Sequence, residues 1–270
     1  MEMIPTDSIN KLIVTWKSLN ELCETLSEAQ WKTMTACPGW SVQDTLSHLV
    51  STEKVSRGDT PSEHRATPRD YVKNKIGEFN EHEVDARRNS TGAQVFSEWK
   101  EVAETRIKQL LEADDAFFDT PVMMPTGRGT VGDFLSIRVL DCWVHEQDIR
   151  RALKLPGHES GPAAEHTIDR LIRTLPIVIG KRAATPEGDS VCFVISGPVR
   201  RELFITITNG RATFVDDEPA NIRATFTTDS NTFLTLATGR GTAQENSAWW
   251  SGSGDTELVE RIAHNLNMMI

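Results

Sequence analysis

The sequence predicts an α+β protein of two domains: a four-helix bundle over residues 1–158, then a small α+β domain with an antiparallel sheet over residues 159–270. Three observations predict it. Up to about Leu153 the apolar residues recur at three- and four-residue spacing in four long runs, the period of helices that bury one face. From Ser190 onward the pattern changes to short alternating β-rich runs, two of them joined by Asn209-Gly210, a tight-hairpin signal. Between the two regimes Leu155-Pro156-Gly157 stops a helix. A helix over residues 163–180 could belong to either domain.

In chain order, Ile9, Leu12, Ile13, Trp16, Leu19 and Leu22 predict a first helix over 7–29, capped by Asp7 or Ser8. Pro38-Gly39 is a turn. Ser41, with Asp44 three residues on, is a capping-box variant that starts a helix over 42–55 with Leu46, Leu49 and Val50 on its apolar face. Residues 56–70 are polar and read as a loop. Helices follow over 71–85 and 91–113, the second carrying Val95, Trp99, Val102, Ile107, Leu110 and Leu111. Pro121 to Gly129 is a connection. Thr130 with Asp133 caps a central helix to about Leu153. In the second half, strands are expected over 190–196, 202–208, 212–215 and 222–227, and helices over 229–238 and 255–268.

Composition narrows the class. Hydrophobic content of 38% and charged content of 25% suit a soluble globular chain. No apolar run approaches the ~18 residues of a membrane span, and no charged-then-apolar leader is visible. A cytoplasmic protein without membrane partners is expected. The net charge of −10 argues against nucleic acid, whose phosphates need a basic surface. Cys23, Cys37, Cys142 and Cys192 are scattered without a Cys-x-x-Cys pair, so they are expected free and no zinc-ribbon or thioredoxin site exists. The oligomeric state is not set by the sequence.

The central helix carries the chemistry. At 100° per residue, Arg138, Asp141, His145 and Asp148 form one stripe, flanked by Leu135, Val139, Cys142 and Ile149 on one side and Ile137, Leu140 and Val144 on the other. A charged stripe on a helix otherwise apolar must be paired, protonated or bound to metal. Asp141 and His145, one turn apart, converge on one point and make half of a metal site. A buried Arg138–Asp141 or Asp141–His145 ion pair explains the same residues. His48, beside the apolar face of a facing helix, would complete two imidazoles and a carboxylate; a histidine satisfied by a backbone carbonyl is its plain alternative. Glu146 and Asp148 are candidates to orient His145, or else solvated charges of the last turns. Cys142 reads as a small core hydrophobe.

Thr35-Ala-Cys-Pro-Gly-Trp-Ser-Val-Gln-Asp-Thr-Leu-Ser-His-Leu49 resembles the N-terminal signature of the mycothiol-dependent maleylpyruvate isomerase family, and Trp143-Val-His-Glu-Gln-Asp-Ile-Arg-Arg-Ala152 resembles its second signature. The resemblance implies a DinB-like metal-binding bundle followed by a sterol-carrier-like α+β domain. It implies a divalent metal, usually zinc, on His48, Asp141 and His145, with Asp141 one methylene shorter than the family's frequent Glu. It further implies that mycothiol is the thiol cosubstrate, ionised on the metal and attacking a small electrophile. The outcome is cis/trans isomerisation of an enoic acid or thiol S-transfer. Phe233-Leu-Thr-Leu-Ala-Thr-Gly-Arg-Gly241 resembles the family's helix-to-Gly-Arg stretch, which makes Arg240 the candidate catalytic arginine for substrate carboxylates; a charge at a helix C-terminus is its alternative. A different class stays open beside the enzyme: a non-catalytic metal- or apolar-ligand-binding stress-response protein on the same scaffold.

Overall fold

The computed structural model describes residues 4–268. They fall into two units, Met1–His158 and Glu159–Ile270.

The first unit is a helical bundle. Its elements are α1 (Thr6–Cys23), α2 (Glu28–Trp31), α3 (Val42–Arg57), α4 (Lys75–Asp85), α5 (Gly92–Glu112), α6 (Asp115–Phe118), the hairpin β1 (Pro121–Met124) and β2 (Gly127–Thr130), and α7 (Val131–Leu153). The four long helices close a ring in which α1 packs on α7 and α5, and α3 packs on the same two. Leu12, Trp16 and Leu19, Leu46, Leu49 and Val50, Trp99 and Val102, and Leu135 and Val139 fill the interior. Trp16 meets Trp99 edge to face, centroids 5.9 Å apart.

Local chemistry sets the helix starts. Ser41 and Asp44, Thr91 and Gln94, and Thr130 and Asp133 form reciprocal capping boxes at α3, α5 and α7. The helix expected over 7–29 stops at Cys23, because Ser27 is extended and caps α2 with Gln30. Asn74 caps α4 by accepting from the Gly77 amide at 2.8 Å, so that helix starts later than residue 71. The connection over 121–129 contains the β1–β2 hairpin, in which Pro121 is the first strand residue and pairs with Thr130. At the end of α7, Lys154 takes the left-handed conformation and returns its amide to the helix.

The second unit contains α8 (Pro162–Ile172), a π-helical turn (Ile177–Arg182), β3 (Ser190–Ser196), β4 (Arg201–Thr208), β5 (Arg211–Val215), β6 (Ile222–Asp229), α9 (Ser230–Ala237), β7 (Trp250–Gly254) and α10 (Thr256–His264). The helix expected over 163–180 thus lies in this unit. It stops before Pro176, whose ring removes a backbone donor.

The five strands run in the order β5-β4-β3-β6-β7. Asn209 and Gly210, both at positive φ, make the β4–β5 turn as expected. The sheet is mixed where an antiparallel one was expected: the chain leaves the β5 edge and returns on the far side of β3, so β3 and β6 pair in parallel. That register stacks Phe193 on Phe226, centroids 5.0 Å apart. The edge strand β7 is new. Its Trp-Ser-Gly-Ser-Gly sequence has no alternation, and Gly252 is needed because a Cβ there would lie 2.5 Å from Val259 of α10. Among the described residues no helix is long and apolar enough to cross a membrane.

Candidate metal centre

His48 comes from α3, and Asp141 and His145 from successive turns of α7. The packing of α3 on α7 sets His48 against Asp141, and i,i+4 spacing aims Asp141 and His145 together. The three offer donor atoms that all lie within 4.8 Å of one another. His48 Nε2 is 3.2 Å from Asp141 Oδ2, and His145 Nε2 is 3.7 Å from Asp141 Oδ1. The imidazole centroids are 5.0 Å apart. Both histidines are buried, whereas the Asp141 side chain keeps 22% of its surface exposed, so the cluster opens to solvent at the carboxylate.

Each member is held from behind. Asp148, itself buried, faces His145 Nδ1 at 3.1 Å and accepts from Arg151 at 3.2 Å. That leaves His145 Nε2 for the cluster, the carboxylate-behind-imidazole arrangement common at metal sites. Arg138 donates to Asp141 Oδ2 through Nη1 and to Glu53 Oε1 through Nε at 2.8 Å. Glu53 also accepts from Arg106 Nε at 3.4 Å. Trp40 lies over both imidazoles, centroids 5.2 Å from His48 and 6.0 Å from His145, and its indole N–H is fixed by Glu81 at 3.0 Å.

The electrostatics suit a cation. Burial pushes the His48 pKa below its ordinary value, which favours the neutral, ligating imidazole. Burial alone would raise the Asp141 pKa, but Arg138, His48 and His145 hold its carboxyl well below the usual carboxylate range. Two imidazoles and one carboxylate are the donor set of a zinc site with an open position. The Arg138–Asp141 ion pair and the three-residue cluster coexist, because Arg138 takes one carboxylate oxygen while the other faces His145.

Other residues singled out in the sequence separate from the cluster. Glu146 does not orient His145: it is fully buried and bonded to Ser18 at 2.6 Å, Arg150 at 2.8 Å and His158 at 2.8 Å. Cys142 is buried, accepts from Trp16 and Arg138, and has its thiol pKa pushed up to about 12 by burial. Arg240 belongs to the second unit, just past α9, where its Nη1 donates to Thr238 O at 2.8 Å. Glu53 and Arg106 were missed in the sequence. Their signal is heptad spacing from core positions, Leu46 to Glu53 and Trp99 to Arg106, which puts both charges on buried faces.

Asp148→Asn is expected to weaken divalent-metal binding about 10–100-fold, the usual cost of losing the group behind a histidine ligand. Competition against a metallochromic chelator measures it; unchanged affinity would show that Asp148 serves only the helix.

The family model for the mycothiol maleylpyruvate isomerase N-terminal domain matches residues 14–150. Two solved structures share the fold. One is described as the mycothiol-dependent maleylpyruvate isomerase, with a TM-score of 0.55, 12% identity and 92% of each chain covered. The other is a histidine-to-alanine mutant of the mycothiol-dependent maleylpyruvate isomerase, with a TM-score of 0.53, 12% identity and the same coverage. No curated protein matches the chain by sequence.

Proposed function

The chain belongs to the mycothiol maleylpyruvate isomerase N-terminal domain family, and from that premise we propose that it is a metal-dependent enzyme using mycothiol as thiol cosubstrate against a small electrophile. The observation that carries the proposal is the His48–Asp141–His145 cluster on facing helices of the matched region. These three residues would hold the metal, zinc by the preference of their donor set. When bound, the metal supplies positive charge that lowers the pKa of a thiol brought to it.

The chain's own residues do the rest. Arg138 keeps Asp141 ionised and oriented. Asp148 holds His145 by Nδ1. Trp40 walls off one side of the imidazole pair. None of the three buried cysteines is suited to act as nucleophile, because burial raises the pKa of Cys23, Cys142 and Cys192; an external thiol fits that supply of groups. In isomerisation, mycothiol sulfur would bond to one carbon of an activated cis double bond, whose electron pair moves onto the conjugated carbonyl. The new single bond rotates. The pair then returns, the C–S bond breaks, and the trans acid and the thiolate are released without net redox change. In S-transfer the adduct would be protonated at carbon and kept. Arg240 would hold substrate carboxylates through its guanidinium.

Turnover tests the reading. The metal-loaded protein is assayed for mycothiol-dependent conversion of an electrophile panel that includes maleylpyruvate. An isomerase regenerates the thiol, and an S-transferase consumes one per product. Metal binding without thiol-dependent conversion of any member would favour a binding protein on the same scaffold.

A further inference from the structure

We infer that Glu53 is a positioning residue for the metal centre: it restrains Arg138 to one oxygen of Asp141 and so keeps the other oxygen available to a metal. The inference rests on the metal-site reading above. Glu53 lies on α3, is completely buried, and touches none of the three candidate ligands at hydrogen-bond distance. Its two oxygens are divided between two arginines, Oε1 to Arg138 Nε at 2.8 Å and Oε2 to Arg106 Nε at 3.4 Å. Arg138 is thereby committed on all its nitrogens: Nε to Glu53, Nη1 to Asp141 Oδ2, Nη2 to Cys142 Sγ at 3.4 Å.

The default for an arginine beside a carboxylate is the bidentate fork, two parallel N–H···O bonds. In that geometry Arg138 would occupy both oxygens of Asp141 and compete with a cation. Here Glu53 takes Nε, which excludes the side-on fork through Nε and Nη2, and Nη2 faces Cys142, so that Arg138 reaches Asp141 through Nη1 alone. Asp141 Oδ1 is left facing His145 Nε2 at 3.7 Å. The outer arginine, Arg106, balances the second charge of the buried chain and has Gln109 as a further partner.

The experiment is a zinc-affinity titration against a chelator, with thermal unfolding of each variant recorded in parallel. Glu53→Gln is expected to weaken zinc about 10–100-fold, the range for groups that orient a ligand from behind. Glu53→Gln combined with Arg138→Met removes the competitor and is expected to recover affinity relative to Glu53→Gln alone. Arg106→Met, which keeps the Glu53–Arg138 contact, is expected to lower the melting temperature while leaving zinc affinity within about twofold. The proposal is overturned if Glu53→Gln binds zinc like the parent, if the double variant binds no better than the single, or if Arg106→Met loses as much affinity as Glu53→Gln. Should the single Glu53 variant fail to fold, the comparison of Arg106→Met with the double variant decides it: the inference predicts parent-like zinc binding in Arg106→Met, and a large loss there overturns it. If the parent chain itself binds no zinc, it is the metal-site reading that fails.

Discussion

His48→Ala and His145→Ala are each expected to abolish stoichiometric metal binding while the bundle stays folded. Each would remove one of the three proposed ligands, and the loss should exceed the about 100-fold that marks the upper end for groups lying behind a ligand. The fold survives because the cores of α3 and α7 rest on Leu46, Leu49, Val139 and Leu135 rather than on the imidazoles. Metal analysis after dialysis, with circular dichroism as the control for folding, reads both outcomes. His48→Ala is the more telling variant, because it lies on a different helix from the other two. Retention of one metal per chain in that variant would mean that α7 binds alone and that α3 only covers it.

Arg138→Met is expected to destabilise the first unit by about 3 kcal/mol, the lower end of what breaking a buried ion pair costs. The guanidinium sits between two carboxylates, Glu53 and Asp141, on a side chain 2% exposed. Two factors keep the cost at the lower end: Arg106 still faces Glu53, and Asp141 reaches solvent. Urea unfolding of the metal-free protein measures it, and a loss below about 1 kcal/mol would place the pair with exposed ion pairs in its energetics. Metal should partly restore the variant, since a cation on Asp141 replaces the missing charge.

Much of the fold was legible because its signals are local. Ser41 with Asp44 and Thr130 with Asp133 marked helix starts that depend on two side chains each. Asn209-Gly210 marked a turn that only positive φ allows. What escaped depends on partners far along the chain. β7 is Gly- and Ser-rich, and only β6 beside it and α10 against Gly252 make it a strand. The parallel pairing of β3 with β6 follows from where the chain re-enters the sheet, which no window of sequence contains.

The candidate site divides in the same way. Asp141 and His145 are readable from one helix, because spacing of four aims them together. His48 was joined to them as an imidazole on a facing helix, where the motif resemblance also put a ligand, and the structure brings the three within reach of one another. Glu146, read as either a support of His145 or a solvated charge, is neither, because Ser18 on α1 and His158 beyond the end of α7 meet it in the interior. Glu53 and Arg106 carried a legible sign, a charge at a heptad position of an apolar face, but which opposite charge each would meet depends on the packing of α3, α5 and α7.

The most direct test of a metal-dependent, mycothiol-using protein is calorimetric titration of mycothiol into the zinc-loaded and the metal-stripped protein, both verified as folded. Mycothiol is predicted to bind the loaded protein and to bind the stripped protein at least about tenfold more weakly, a difference of about 1.4 kcal/mol or more. Equal affinity for the two forms would contradict the account.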